Sequence, residues 1–185
     1  MALYKNEIRL YTYIRNHEKE RWIISKSLVV YFSVYGTAKK TAEEIARQTG
    51  ADLVEIEPVI PYDSNRDHYN ALAKLAKQEH DTNARPAIKN EIPIEDYDTI
   101  FVGYPVWWYT FPMILYTFFD KYDFSGKTIV PFNTHMGSGD GGTYRTIKEL
   151  EPNARVLDGL PMEMSDAERG DAKAVAKWLA SLNLE

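Results

Sequence analysis

The chain has 185 residues, 44% hydrophobic and 13% aromatic, enough to bury one substantial core and too few for two ordinary domains. It carries 22 Lys and Arg against 27 Asp and Glu, a net of −5, which argues against general binding to nucleic acid or to an anionic membrane, since both require an excess of basic side chains. With no cysteine present, disulfides, thiolate metal sites and cysteine nucleophiles are excluded, and a reducing, cytoplasmic address fits.

Residues 1 to 26 read as an N-terminal extension. They hold six basic side chains (Lys5, Arg9, Arg15, Lys19, Arg21, Lys26) and three acids (Glu7, Glu18, Glu20), a net of +3, which leaves −8 on residues 27 to 185. No apolar block in the extension could form the core of a secretory signal, and no stretch of the chain approaches the ~20 residues of a membrane span. Its apolar residues fit neither the helix nor the strand period cleanly. The segment reads as a frayed or locally packed terminus, or as a surface that docks on a second subunit; the oligomeric state is left open.

From residue 27 the pattern becomes regular. Leu28-Val29-Val30-Tyr31-Phe32 is a continuous apolar run, as expected of a strand buried on both faces. Thr41 to Gln48 repeats apolar residues at helical spacing and stops at Gly50. Leu53 to Ile56 predicts a second strand. Residues 58 to 93 are a longer excursion with one helix over 67–78 between proline-bearing turns. Thr99 to Tyr104 predicts a third strand, and residues 112–121 a helix with Pro112 in its first turn. Lys127 to Asn133 predicts a fourth strand, Thr143 to Leu150 a short helix, and Arg155 to Leu157 the start of a fifth strand. A final amphipathic helix is expected over 166–182, capped by Ser165 or Asp166. Strands alternating with helices predict a doubly wound α/β fold, a five-stranded parallel sheet with helices on both faces. Ligands of such sheets sit outside the carboxyl ends of the strands, so the loops after strands one, three and four are where chemistry is sought.

The first loop is Ser33-Val34-Tyr35-Gly36-Thr37-Ala38. Hydroxyls, a glycine and the N–H groups of a helix start make a phosphate cradle, although an ordinary strand-to-helix turn uses the same residue types. It is not a Walker A loop. The second loop, Pro105-Val106-Trp107-Trp108-Tyr109, brings flat aromatic walls to the ligand edge; one tryptophan is expected in the core and the other lining the site. The third, Asn133-Thr134-His135-Met136-Gly137-Ser138-Gly139, continues to Gly142 and contains a formal Gly-x-Gly-x-x-Gly over 137–142. It follows the fourth strand instead of opening the fold, so it reads as a flexible wall of main-chain N–H groups and not as a dinucleotide fingerprint. His135 reads as a proton donor or hydrogen-bond partner for a bound ring, or as a turn residue bonded to its own backbone. The four histidines, His17, His68, His80 and His135, show no ligand spacing for a metal.

Together these loops describe a site for a phosphorylated, planar aromatic ligand. The stretches Val30-Tyr31-Phe32-Ser33, Pro105-Val106-Trp107-Trp108 and Asp123-Phe124-Ser125-Gly126-Lys127, running on through Ser138-Gly139, resemble the flavodoxin-like family, and more closely its small FMN proteins with a Trp-Trp loop. The resemblance spans residues 27 to 182. It implies strand order 2-1-3-4-5 and FMN as cofactor, with the phosphate on Ser33, Tyr35, Gly36, Thr37 and Ala38. It also implies the isoalloxazine against Pro105, Val106, Trp107, Trp108 and Tyr109, and its pyrimidine side against Thr134, His135, Met136, Gly137, Ser138 and Gly139.

Two departures qualify what the resemblance implies. The family's phosphate loop reads Ser-x-Thr-Gly-Asn/Thr-Thr, and Tyr35 and Ala38 replace two of its hydroxyl residues. Hydrogen bonds to a charged group are worth about 1.5 to 3 kcal/mol each, so FMN binding is expected to be weaker unless Lys39, Lys40 or Thr41 compensates. Residues 105 to 112 also lack a glycine, which would let a peptide carbonyl turn toward flavin N5 at little cost; two-electron chemistry is favoured over one-electron carriage. The expected function is electron transfer through bound flavin, with a redox partner protein or NAD(P)H as partner. The alternatives are an NAD(P)H-dependent quinone-type FMN reductase and a flavin-less interaction protein of the same fold. A receiver-type signalling domain is set aside, because it needs acids where Tyr31-Phe32-Ser33 stand.

Overall fold

The computed structural model describes residues 26–182 and Leu184; the expectations for residues 1–25 lie outside the described residues. Strand β1 (Ser27–Tyr31) is the first described strand and lies in the sheet interior. Side chains alternate across a strand, and here Val29 and Tyr31 join one core layer while Leu28, Val30 and Phe32 join the other. Apolar residues on both faces are what make the run continuous in sequence.

Helix α1 (Thr37–Thr49) starts at Gly36, which has φ +78°, and ends at Gly50, whose N–H donates to the Ala46 carbonyl. It begins earlier than its apolar repeat predicts, since Thr37, Ala38 and Thr41 are buried on the same stripe as Ala42 and Ile45. Strand β2 (Asp52–Glu55) lies at the sheet edge, and the excursion that follows closes on itself. There Pro58 bridges Ile88 antiparallel, and the Asn90 side chain donates to the Glu55 carbonyl and accepts from the Glu57 N–H. Within it a 3-10 turn (Arg66–His68) runs into α2 (Tyr69–Asp81), with Asn65 capping the turn by accepting from the Asp67 N–H.

Strand β3 (Thr99–Pro105) pairs with β1 on one side and β4 (Thr128–His135) on the other. Between them lies α3 (Met113–Lys121), for which Pro112 is the cap and not a first-turn residue. Helix α4 (Thr143–Leu150) follows β4. The sheet order is β2-β1-β3-β4-β5, all parallel, in agreement with the order expected, but a sixth strand is attached. The outer side of β4 is covered first by β5 (Arg155–Val156) and then by β6 (Leu160–Glu163). One proline explains the division. Ile129 accepts from the Leu157 N–H, so the next β4 residue facing that side, Pro131, would have to donate to continue the ladder, and it has no N–H. The outer strand bulges by one residue and resumes at Leu160 opposite Phe132.

The last helix also differs from the sequence reading. It divides into α5 (Met164–Arg169) and α6 (Ala172–Ser181) at Gly170, which has φ +64°. Asp171 restarts the chain as a cap by accepting from the Lys173 and Ala174 N–H groups, so neither Ser165 nor Asp166 serves as the cap. Ala42 and Ile45 of α1, Ala167 of α5, and Val175 and Trp178 of α6 cover one sheet face. Ile114, Leu115 and Phe118 of α3 and Ile147 of α4 cover the other. Among the described residues no helix is long and apolar enough to cross a membrane.

Candidate cofactor-binding site

A cavity of about 320 Å³ opens at the carboxyl ends of β1, β3 and β4, within the size range of small-ligand sites. The turn after β1 supplies Val34, Tyr35 and Thr37 to its wall. Thr37 is buried in the first turn of α1 with its Oγ1 3.5 Å from that of Thr134, so the first and third loops meet there. Ser33, Gly36 and Ala38 do not border the cavity. Ala38 is fully buried, and Gly36 contributes the left-handed turn that starts the helix. Of the residues expected to compensate for the replaced threonines, Lys40 donates instead to the Glu168 carbonyl at 2.8 Å and buried Thr41 points to the Met162 sulfur; Lys39 is exposed.

The Tyr35 hydroxyl is the one buried side-chain polar atom without a hydrogen-bond partner among the described residues. Burial, and next the Asp63 carboxylate, push its phenol above the ordinary tyrosine value. A buried hydroxyl with no partner is costly. Placed on the wall of a cavity, it fits a site whose ligand accepts a hydrogen bond.

After β3 the chain makes a tight reversal in which Trp107 and Thr110 exchange two backbone hydrogen bonds, at 2.8 and 3.0 Å. The corner residues Trp108 and Tyr109 both have positive φ, +51° and +59°, the signature of a type I′ turn normally built from Asn and Gly. Trp107 packs edge-on against Phe32 and Tyr62. Trp108, 48% exposed, donates its Nε1–H to the Ala73 carbonyl at 3.0 Å, and Tyr109 is 78% exposed. The expected division between a core and a lining tryptophan is therefore incomplete, because Trp107 is partly core and both indoles border the cavity, together with Pro105, Val106 and Tyr109.

Strand β4 extends two residues beyond its expected end, so Thr134 and His135 are strand residues and not loop residues. Both border the cavity with Met136 and Ser138, whereas Gly137 and Gly139 do not. His135 Nδ1 lies 3.2 Å from the Gly137 N–H and 3.1 Å from a Glu163 carboxylate oxygen. One nitrogen cannot serve both at once: without a hydrogen Nδ1 accepts from the Gly137 N–H, and with one it donates to Glu163. The glycine-rich loop is pinned from beneath. Asn133 donates to the Gly139 carbonyl and accepts from the Tyr144 hydroxyl, while Thr143 links the Tyr104 hydroxyl to the Asp140 carbonyl. At Gly141 a Cβ would lie 2.9 Å from the Val106 side chain and 3.4 Å from Tyr109 backbone, so the loop after β4 closes directly on the aromatic turn.

The far wall belongs to α2, through Tyr69, Leu72, Ala73 and Ala76, with Met164 from the start of α5. Sequence reading missed all of these. The α2 residues nonetheless recur at i, i+3, i+4 and i+7, a helical stripe that marks one face. Among the described residues there is no cluster of side chains suited to a metal ion.

A parallel doubly wound sheet with a cavity at its switch point, walled by the turn into α1, an aromatic turn and the end of β4, defines the class of α/β proteins that bind a small ligand there. The flavodoxin family matches residues 26–182. A candidate flavoprotein from Bacteroides eggerthii is 37% identical, with 84% of this chain and 96% of that chain covered and a TM-score of 0.73. A second, from Bacteroides uniformis, is 28% identical over 84% of this chain and 98% of that one, also at TM-score 0.73. The fold is shared with a Lactobacillus acidophilus flavoprotein in complex with FMN, 22% identical over 80% of this chain and 99% of that one, at TM-score 0.64. No curated protein matches. The chain belongs to the flavodoxin family.

Proposed function

We propose that this chain is a cytoplasmic FMN-binding redox protein that transfers electrons through the flavin. The observation that supports this reading is a single cavity bordered at once by the α1 turn, the aromatic turn and the end of β4. In it the turn from Ser33 to Ala38 receives the phosphate through Thr37, the Tyr35 hydroxyl and the N–H groups at the start of α1. Pro105 to Tyr109 would hold the isoalloxazine, and Thr134, His135, Met136 and Ser138 would meet its pyrimidine edge. FMN supplies the redox chemistry when bound, and the protein supplies position, exclusion of water and electrostatics. A partner protein exchanges the electrons, and the net of −8 on residues 27 to 185 favours a basic docking surface on that partner. A visible spectrum of the purified protein, followed by FMN fluorescence titration, tests the reading: flavin absorption or saturable quenching is expected. A colourless protein that leaves FMN fluorescence untouched would instead leave the flavin-less interaction protein.

The corner formed by Trp108 and Tyr109 favours a second reading, an NAD(P)H-dependent quinone-type reductase. Neither residue is glycine, so a peptide rotation beside the flavin that needs glycine's freedom is disfavoured. Anaerobic NADPH would bleach the flavin of a reductase without a partner protein, and would leave that of a carrier oxidised.

A further inference from the structure

We infer that Arg66 is the cationic contact for the ligand's phosphate group, shared with Glu168, and that it compensates for the threonine hydroxyls that Tyr35 and Ala38 replace. This rests on the FMN reading above. A phosphate monoester carries close to two negative charges at neutral pH, and the turn from Ser33 to Ala38 has no charged side chain to meet them. Lys40, on the first turns of α1, is committed to the Glu168 carbonyl. Arg66 comes from a separate segment, the 3-10 turn leading into α2. Its guanidinium carbon lies 5.5 Å from the centroid of the Tyr35 ring, the side chain whose hydroxyl is buried and unpartnered. Three residues further on, Tyr69 borders the same cavity.

The present partner of Arg66 is Glu168 of α5, at 2.8 Å, with the two side chains 59% and 40% exposed. A solvated pair of this kind is weak. A guanidinium presents paired donors that match phosphate oxygens, so a phosphate bound in the cradle would compete with Glu168 for Arg66. The nearby Asp63 opposes an anion least where it is already engaged: it accepts from the Asn65 N–H and lies 2.6 Å from His68 Nδ1. Arg66 and Glu168 thus join the excursion after β2 to the helix after β6, and the cation is held beside Tyr35 of the turn after β1 without being consumed by a buried pair.

The test compares FMN with riboflavin, which differ by the phosphate alone, using fluorescence quenching on the full chain. Wild type is expected to prefer FMN. Arg66→Ala is expected to lose about tenfold or more in FMN affinity while riboflavin affinity holds within about twofold, and to flatten the salt dependence of FMN binding. Arg66→Lys keeps the charge without the fork and falls between. Glu168→Gln removes the same ion pair but frees Arg66, so FMN affinity is retained or rises. Free inorganic phosphate is expected to compete with FMN in wild type and to do so less well in Arg66→Ala. An Arg66→Ala protein that binds FMN as wild type does, or that loses FMN and riboflavin alike, overturns the inference, as does a Glu168→Gln protein that loses FMN affinity as Arg66→Ala does. A wild-type protein that quenches neither flavin is the distinct outcome that removes the FMN reading itself.

Discussion

Tyr62 shares its hydroxyl hydrogen between the two carboxylate oxygens of Glu79, at 3.1 and 2.9 Å. The same ring meets Phe32 and Trp107 edge-on, with centroids 5.4 and 5.6 Å apart. A half-buried carboxylate therefore fixes, through one tyrosine, the orientation of the indole on the cavity wall. Burial raises the Glu79 carboxyl above its ordinary value, and the Tyr62 hydroxyl pulls it back down.

Tyr62→Phe is expected to destabilise the protein by about 1 to 3 kcal/mol at neutral pH, since it leaves Glu79 desolvated without its donor. A carboxyl whose folded value is raised contributes most below its unfolded value and loses that contribution as pH rises through the folded one. Removing Tyr62 raises the folded value further, so the variant's deficit is expected to grow between about pH 5 and pH 8 in urea unfolding. An equal deficit at both pH values would show that the hydrogen bond to Glu79 does not set it.

Gly103 has no room for a side chain. A Cβ there would lie 2.1 Å from the ring of Phe132, its partner across the β3–β4 pair. Gly103→Ala is expected to cost about 1 to 3 kcal/mol or more through forced movement of Phe132, read as a lower unfolding midpoint at unchanged m-value.

The turn at Trp108 and Tyr109 holds two aromatic residues at positive φ, a conformation that costs non-glycine residues about 1 to 3 kcal/mol each. Tyr109 buries little of its ring. Tyr109→Gly is therefore expected to leave stability unchanged or to raise it by about 1 kcal/mol, because glycine's greater freedom when unfolded offsets part of the relief. The same substitution is expected to weaken FMN binding, measured by fluorescence titration, by removing a ring from the wall. Loss of stability with unaltered FMN affinity would contradict both halves.

Glu151, at the end of α4, has its carboxyl pushed up to about 7 by burial first and by the Asp123 and Asp120 carboxylates after it. Its favourable state is the protonated one, so its contribution is complete below the ordinary 4.5 and is lost as pH rises through about 7. Glu151→Gln is expected to match wild type near pH 4.5 and to exceed it above about pH 8 by on the order of 1 kcal/mol, the surrounding solvent screening a half-buried charge. Thermal unfolding across that range measures it.

The strands and the three loops were legible because each carries a local signal: apolar continuity from Leu28 to Phe32, hydroxyls and glycine from Ser33 to Thr37, paired tryptophans at 107 and 108. What escaped the sequence depends on distant partners. Tyr69 to Ala76 look like any amphipathic stripe until the excursion after β2 folds back and turns that stripe onto the aromatic turn. Pro131 gave warning that its strand could not donate on one side, yet its effect appears on another strand, where β5 stops and β6 begins. Gly170-Asp171, a stop followed by a cap, was readable locally but was overridden by the apolar period running through it. Arg66 has no motif at all; it becomes notable only through Tyr35 and Glu168, which lie 31 residues before it and 102 after it.

The bulge opposite Pro131 reaches beyond the register of one strand. An open sheet presents the unpaired N–H and C=O groups of its outermost strands, and a long, regular row of them is a template for another chain. Here one flank ends in two residues of β5 and four of β6, out of step by one position and with Pro161 lacking a donor. The opposite flank is the four-residue β2, with acids at both ends, Asp52 and Glu55. Among the described residues neither flank offers a long run on which a foreign strand could lengthen the sheet, so the proline that breaks the fifth strand also guards the fold against growing by the addition of strands.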